Sequence, residues 1–304
     1  VRHEPAYEGR PLVRPGEEVV DQGLGFDITT LMSRRRMLRA LGLGAAAAGL
    51  AACASNPGTS SGSTSATTTA SGTGLVEIPD ETAGPYPGDG SNGPNVLAES
   101  GIVRSDIRSS FGGASGTADG VPLTIRLTIL DIANGGSAFA GAAVYVWHCN
   151  REGGYSMYSS AIEDQNYLRG VQIADSSGRV SFISIFPACY SGRWPHIHFE
   201  VYPDQAGITD ASNAIATSQI ALPQDVCEAV YAQPGYEPSV GNLAQVSLTT
   251  DNVFGDDGGV HELGAVTGDA SGYTVSLTAP VDTTTTPTGG SAPAGGPGGP
   301  PPSR

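Results

Sequence analysis

The chain has 304 residues, a formal net charge of −15 and no lysine, all 15 of its basic residues being arginine. So acidic a chain is a poor partner for a phosphate backbone, and it repels anionic ligands unless a local arginine compensates. Hydrophobic residues make up 39% and charged residues 15%, with 43 Gly and 22 Pro, which describes a loop-rich β domain with disordered ends and excludes a helical bundle.

In chain order, residues 1–31 are polar and carry no apolar pattern, and Met32 stands just before the arginines, so 1–31 reads as a gene-call extension or as part of a leader. Ser33-Arg-Arg-Arg-Met-Leu-Arg39 is followed by thirteen apolar residues from Ala40 to Ala52, the order of a twin-arginine export signal and too short to span a membrane. The run closes on Leu50-Ala-Ala-Cys53, a pattern similar to a lipobox, in which the cysteine thiol takes a diacylglycerol. Cleavage as a plain secretory signal near the same place leaves Cys53 incidental. We therefore expect 1–53 to be a signal region and the protein to be exported, as a cell-surface or periplasmic lipoprotein whose contact with the membrane is through Cys53. Residues 54–74, almost all Ser, Thr, Gly and Ala, form a tether, and 283–304, rich in Thr, Pro and Gly, a disordered tail.

Between them, 75–282 is the part able to bury a core. Period-2 alternation predicts strands at 123–130, 143–147, 178–186, 196–202, 218–222, 242–248 and 273–277, separated by turn residues such as Asp175-Ser-Ser-Gly178, with one short helix at 223–232. The expected fold class is all-β: an antiparallel β-sandwich with long loops and little helix.

The chemistry begins at His196-Ile-His198. On a strand, residues i and i+2 share a face, so two imidazoles project into one space, as a metal requires; the plainer alternative is a polar pair on an exposed face. Upstream lie Trp147-His-Cys-Asn-Arg-Glu-Gly-Gly-Tyr155 and Phe186-Pro-Ala-Cys-Tyr190-Ser-Gly-Arg193-Trp-Pro-His196.

This order resembles the core of the intradiol ring-cleavage dioxygenases, in which a Trp precedes a Tyr ligand by eight residues, a second Tyr follows a Pro-containing turn, and an Arg stands three residues before a His-x-His pair. Glu81-Thr-Ala-Gly-Pro-Tyr86 and Val103-Arg-Ser-Asp106 are similar to the segments that line that family's site. The resemblance runs over about 77–280 and implies ferric iron, Fe(3+), held by Tyr155, Tyr190, His196 and His198. It implies cleavage of a catechol-type ring by O2 between the two hydroxyl-bearing carbons, giving a cis,cis-muconate-type diacid. Tyr190 would leave the metal and take a substrate proton, Arg193 would stabilise charge on the ring, and Gln219 matches an active-site Gln. The partners implied are a small aromatic diol and O2, with no nucleic acid; the scarcity of cations favours an uncharged catechol. The helical segment that precedes the sandwich in catechol 1,2-dioxygenases is replaced here by the tether.

Tyr158 competes with Tyr155, and the eight-residue spacing from Trp147 decides for Tyr155. His148 reads as structural or surface, His261 as solvated, and the Asp256-Asp257 loop as lacking a full calcium pattern. Trp194 is expected near the substrate mouth. Of Cys149, Cys189 and Cys227, the first two are candidates for a bridge bracing the tyrosine loops, the alternative being three buried thiols. The rival reading from another class is a non-catalytic cell-surface β-sandwich binding module that keeps the fold.

Overall fold

The computed structural model describes residues 74–287 and, near the start of the chain, 6–7 and 10–11. The chain divides into two units, 1–69 and 70–304. In the first, β1 (Ala6–Tyr7) pairs antiparallel with β2 (Arg10–Pro11). The rest of the expected signal region, the tether as far as residue 73 and the tail beyond 287 lie outside the described residues. Among the described residues no helix is long and apolar enough to cross a membrane.

The second unit is built on β3 (Pro122–Asp131), whose alternation is the clearest in the sequence: Leu123, Ile125, Leu127 and Ile129 turn inward while Thr124, Arg126 and Thr128 turn outward. It sits in a sheet of order β10 (Ala265–Asp269), β11 (Gly272–Val281), β3, with β7 (Arg179–Ile185) on the other side of β3 and β4 (Ser137–Ala138) continuing that side. The second sheet has the order β6 (Arg169–Ile173), β5 (Ala143–Trp147), β8 (His196–Tyr202), β9 (Ala216–Ala221), every neighbour antiparallel. Ile125, Leu127 and Phe182 of the first sheet meet Val144, Val146, Ile197, Phe199, Val201 and Ile220 of the second in one core cluster, so the fold is a β-sandwich. Each such side chain, fully buried, contributes about 1.5–3 kcal/mol relative to exposure.

Three expectations are corrected. The β11–β3 pair is parallel, not antiparallel; the whole second sheet and both helices lie between them in the chain, the long crossover that a parallel pair needs. Residues 242–248 are not a strand: α2 (Glu237–Leu243) ends there, after α1 (Gln224–Tyr231) at the predicted helix. Pro238 suits the first turn of a helix, and Ser247 and Thr250 then bond their own backbone, closing a turn where a strand would need a partner. Strands β6 and β10 were unforeseen, β10 because it is a largely exposed edge with no apolar face.

What positions the site is the difference between the two sheets. Every residue of β8 is buried. Its inward side chains join the sandwich core, and its outward ones lie under a roof made by the segment 83–97, the loop after β5 and Ile208, which form a second cluster around Tyr145, Trp147, Tyr155 and Tyr202.

Candidate metal centre

Ile197 enters the sandwich core, so His196 and His198 project together beneath the roof. Their Nε2 atoms are 3.1 Å apart. His196 Nδ1 donates to the Trp194 carbonyl at 2.5 Å, which leaves its Nε2 lone pair facing the site. Trp147 lies directly opposite His198 on β5, and the two rings stack at 4.8 Å with 5° between planes.

The tyrosines come from two loops. After β5, Asn150 Oδ1 accepts from Gly154 N at 2.8 Å and Ser159 Oγ from Tyr155 N at 2.9 Å, which turns Tyr155 back over the sheet. Tyr190 lies between β7 and β8, where α2 braces its neighbour: Cys189 N donates to Ser239 Oγ, and Asn242 Nδ2 to the Cys189 carbonyl. Gly153 has φ 88°, and a Cβ there would come within 3.2 Å of Tyr190 Cβ, so the close approach of the loops requires glycine. The Tyr190 hydroxyl is 3.2 Å from His196 Nε2, the Tyr155 hydroxyl 3.4 Å from the same atom, and the two hydroxyls 3.5 Å apart.

Nitrogen and oxygen ligands held about 2.0–2.2 Å from one first-row metal ion, at angles of about 90–110°, lie about 3.0–3.4 Å from each other. The three contacts at His196 Nε2, 3.1–3.4 Å, have that spacing, and the two hydroxyls at 3.5 Å are close to it. Burial holds both histidines well below their usual range, hence neutral with lone pairs available. Burial also pushes Tyr155 well above the phenol range and Tyr190 up to about 12. These phenols ionise only around a cation, and as phenolates they are hard donors that with two imidazoles suit ferric iron. Among the described residues no group of three or more His, Cys, Asp or Glu is arranged for a metal, so a two-histidine, one-carboxylate triad is not found there.

Arg193 and Gln219 stand beside this cage. Arg193 donates through Nε to Asp251 Oδ2 at 2.9 Å and through a terminal nitrogen to Gln219 Oε1 at 2.7 Å. Gln219 is the register partner of His198, and its amide nitrogen donates to the Thr82 carbonyl at 2.9 Å. The segment Glu81–Tyr86 closes the site: a Cβ on Gly84 would lie 3.5 Å from His198 Cε1, and the Tyr86 ring is 5.0 Å from that of Tyr155. Buried Arg169 ties this segment to the Tyr155 loop, donating to the carbonyls of Tyr86, Pro87 and Ser156.

All six residues singled out from the sequence therefore meet in one place. Asp251 was missed. Its buried carboxylate also accepts from the backbone nitrogens of Trp194, Val253 and Phe254, so it fixes both the Arg193 side chain and the turn leading into His196. It lies in a Thr-Thr-Asp-Asn stretch that carries no pattern. Tyr158 is not in the cage; its hydroxyl accepts from Gly88 N. His148 is buried, not surface, its ring bridging the Cys149 carbonyl and Ser184 Oγ. His261 is exposed. Trp194 does not line a mouth: it is packed in the sandwich core and its indole donates to the Leu222 carbonyl. Cys149, Cys189 and Cys227 are free and buried, so the expected bridge is absent among the described residues.

Residues 92–208 match a family model described as "Dioxygenase". A chlorocatechol 1,2-dioxygenase of Rhodococcus opacus is 40% identical over 55 residues, 18% of this chain and 21% of that protein. A catechol 1,2-dioxygenase of a Pseudomonas strain is 36% identical over 72 residues, 24% of this chain and 23% of that one. The matched stretches thus span about a fifth of the curated relatives' own length. An intradiol ring-cleavage dioxygenase structure from Tetranychus urticae superposes with a TM-score of 0.53 at 21% identity, over 69% of this chain and 96% of that one, which shows a shared fold.

Proposed function

We propose that the chain is an intradiol-type ring-cleavage dioxygenase, a ferric non-haem iron enzyme that opens a catechol-type ring between its hydroxyl-bearing carbons with O2, giving a cis,cis-muconate-type diacid; the match of residues 92–208 to the dioxygenase model and the partial likeness to catechol and chlorocatechol 1,2-dioxygenases support this reading. The observation that carries the reading is the convergence on His196 Nε2 of the Tyr155 and Tyr190 hydroxyls and of His198 Nε2, at 3.4, 3.2 and 3.1 Å, with the two hydroxyls 3.5 Å apart. Tyr155, Tyr190, His196 and His198 would hold the iron, which when bound would supply the redox-active Lewis acid that makes a catechol reactive towards O2.

The chain's own groups do the rest. Tyr190 is the more exposed of the two tyrosines, so it is the one able to swing away and accept a proton from a substrate hydroxyl. Tyr155 and the two histidines stay, held by the Ser159 bond, the Trp194 carbonyl and the Trp147 stack. Arg193, fixed by Asp251 and Gln219, presents positive charge where the ring becomes electron-rich, and being held beforehand it needs no reorganisation. Gly84 against His198 and Tyr86 against Tyr155 cover one side of the cage. A binding module would need none of the Tyr, His and Arg set in this arrangement.

The protein reconstituted with ferric iron is expected to show a visible tyrosinate-to-iron band that shifts when catechol is added without oxygen, and to consume O2 once air is admitted. A protein that stays colourless after reconstitution would rule the reading out. The same proposal includes export by the twin-arginine route and a lipid on Cys53; it predicts that the protein partitions with membranes and that Cys53→Ala releases it.

A further inference from the structure

One group beside the centre has no work in the scheme above. Glu262 is 0% exposed, and neither of its carboxylate oxygens has a hydrogen-bond partner. Its place is set by β9, whose outer edge is closed by two separate segments. Glu81 N donates to the Thr217 carbonyl at 2.7 Å at one end; Ala221 N donates to the Glu262 carbonyl, and Gly264 N to the Ala221 carbonyl, both at 2.9 Å, at the other. Between them is Gln219, whose side chain joins Thr82 to Arg193. Glu81 and Glu262 therefore flank the Arg193–Gln219 wall of the site, and Glu81 is the charge that Glu262 senses most strongly. Exposed Asp256 and Asp257, in the loop just before Glu262, add to the negative field at both. The local cation, Arg193, is already engaged by Asp251 and Gln219.

Burial first, then neighbouring negative charge, raises Glu81 to about 8 and Glu262 to about 9. Two carboxyl groups taken out of water within reach of each other's field, one of them with both oxygens unpaired, are a costly arrangement that a positively charged hydrogen-bond donor relieves. The exposed aspartates in front of them draw cations inward.

We propose that Glu81 and Glu262 receive an ammonium group carried by the substrate ring, so that the enzyme takes catechols with a cationic side chain in preference to neutral or carboxylated ones. This rests on the ring-cleavage reading for the identity of the ring, and on Glu81 and Glu262 alone for the ammonium. Binding is an exchange of charge: the ammonium enters with its three protons, a carboxyl group releases one proton to solvent, and an ion pair replaces a neutral acid.

The test compares kcat/KM of the iron-loaded full chain for 4-(2-aminoethyl)catechol, 4-ethylcatechol and 3,4-dihydroxyphenylacetate, which share a ring and differ in side-chain charge. The ammonium compound is expected to exceed the ethyl compound by about tenfold, as one charge-assisted contact implies, with the carboxylate below both. Glu262→Gln and Glu81→Gln should each bring the ammonium-to-ethyl ratio towards one. Equal values for the ammonium and ethyl compounds in the unaltered protein overturn the inference.

Calorimetry on the metal-free full chain with phenethylammonium supplies a readout apart from turnover. Binding accompanied by proton release, and weakened in Glu262→Gln, supports the site; no binding, or binding indifferent to that substitution, overturns it. Should no catechol be cleaved while phenethylammonium binds with proton release, the ring-cleavage reading falls and the ammonium site stands.

Discussion

The two sheets use the same strand chemistry to opposite ends. In β3 of the first sheet, apolar residues face the core and Thr, Arg and Thr face solvent, so one face bears the packing and the other is free to vary. In β8 of the second, both faces are buried, and the outward one carries His196, His198, Glu200 and Tyr202 instead of a second apolar layer. A strand that buries polar and ionisable groups on one face must supply each with a partner or a ligand. Here the partners are loops, and where loops do not suffice the donors turn towards one another. The first sheet is thus expected to answer for stability and the second for chemistry, and substitutions on each should separate the two properties.

The sharpest separation lies at His198. His198→Ala removes a proposed ligand from a cage of four; iron content and the visible band should collapse and kcat/KM fall by about a thousandfold or more. Its opposite number on the first sheet is Ile125, fully buried in the sandwich core. Asp251→Asn comes next in expected effect. It keeps the shape of the carboxylate but loses the charge that holds Arg193 Nε and the Trp194, Val253 and Phe254 amides. Outer groups of this kind are worth about 10–100-fold in activity, so kcat should drop while the iron band remains. A band lost along with activity would place Asp251 in the integrity of the fold instead.

Ile125→Ala reverses the pattern: about 2–5 kcal/mol of stability lost to a cavity, read by denaturant unfolding, with the band of the surviving folded protein unmoved. A shifted band would mean that the two sheets are mechanically coupled.

A pH series tests the same division. His148 links the sheets through Ser184, and burial pushes it down to about 4 from 6.5. The folded state then binds fewer protons than the unfolded one between those values, so the stability His148 confers is present above pH 6.5 and lost as pH falls towards 4. Glu262, raised to about 9, has the opposite sign: its contribution is present below pH 4.5 and lost as pH rises towards 9. His148→Gln should therefore flatten the acid side of the stability profile, removing on the order of 3 kcal/mol of pH dependence, and Glu262→Gln the alkaline side. Profiles that shift in parallel would show that neither group titrates as its burial implies.

How far the sequence foretold these features depends on their range. The proposed ligands were legible because a strand fixes His196 and His198 on one face and because the spacing of Tyr155 from Trp147 and of Tyr190 from the histidines resembles that of a known family. β3 was legible because its outer face is wet. The parallel pairing of β11 was not, since alternation tells which face is buried and nothing of strand direction. Asp251 was silent for a related reason: its role exists only after folding brings it to Arg193, 58 residues away in the chain. The helix at 237–243 was masked by the strand-like run beginning at Asn242, which ignores the Pro238 start and the self-bonded Ser247–Thr250 turn. The Cys149–Cys189 bridge rested on both residues lying near the proposed ligand tyrosines in the sequence. Their thiols instead point to different carbonyls, Cys149 to Ala188 and Cys189 to Arg193.

The smallest effect is the most demanding test of the comparison. Arg126 is on β3 between Ile125 and Leu127, and its register partners on the two sides are Ser276 and Ser181. All three face outward on the first sheet, where small hydroxyl neighbours offer the guanidinium little to pack on. Arg126→Ala should change stability by no more than about 0.5 kcal/mol, a shift of about 2 °C or less in Tm for a domain this size, and leave kcat/KM unchanged. A neighbouring position on one strand would then span the whole range: several kcal/mol at Ile125 and almost nothing at Arg126. If Arg126→Ala instead lowers activity, the outer face of the first sheet is not idle, and the division of labour between the sheets fails on its quieter side.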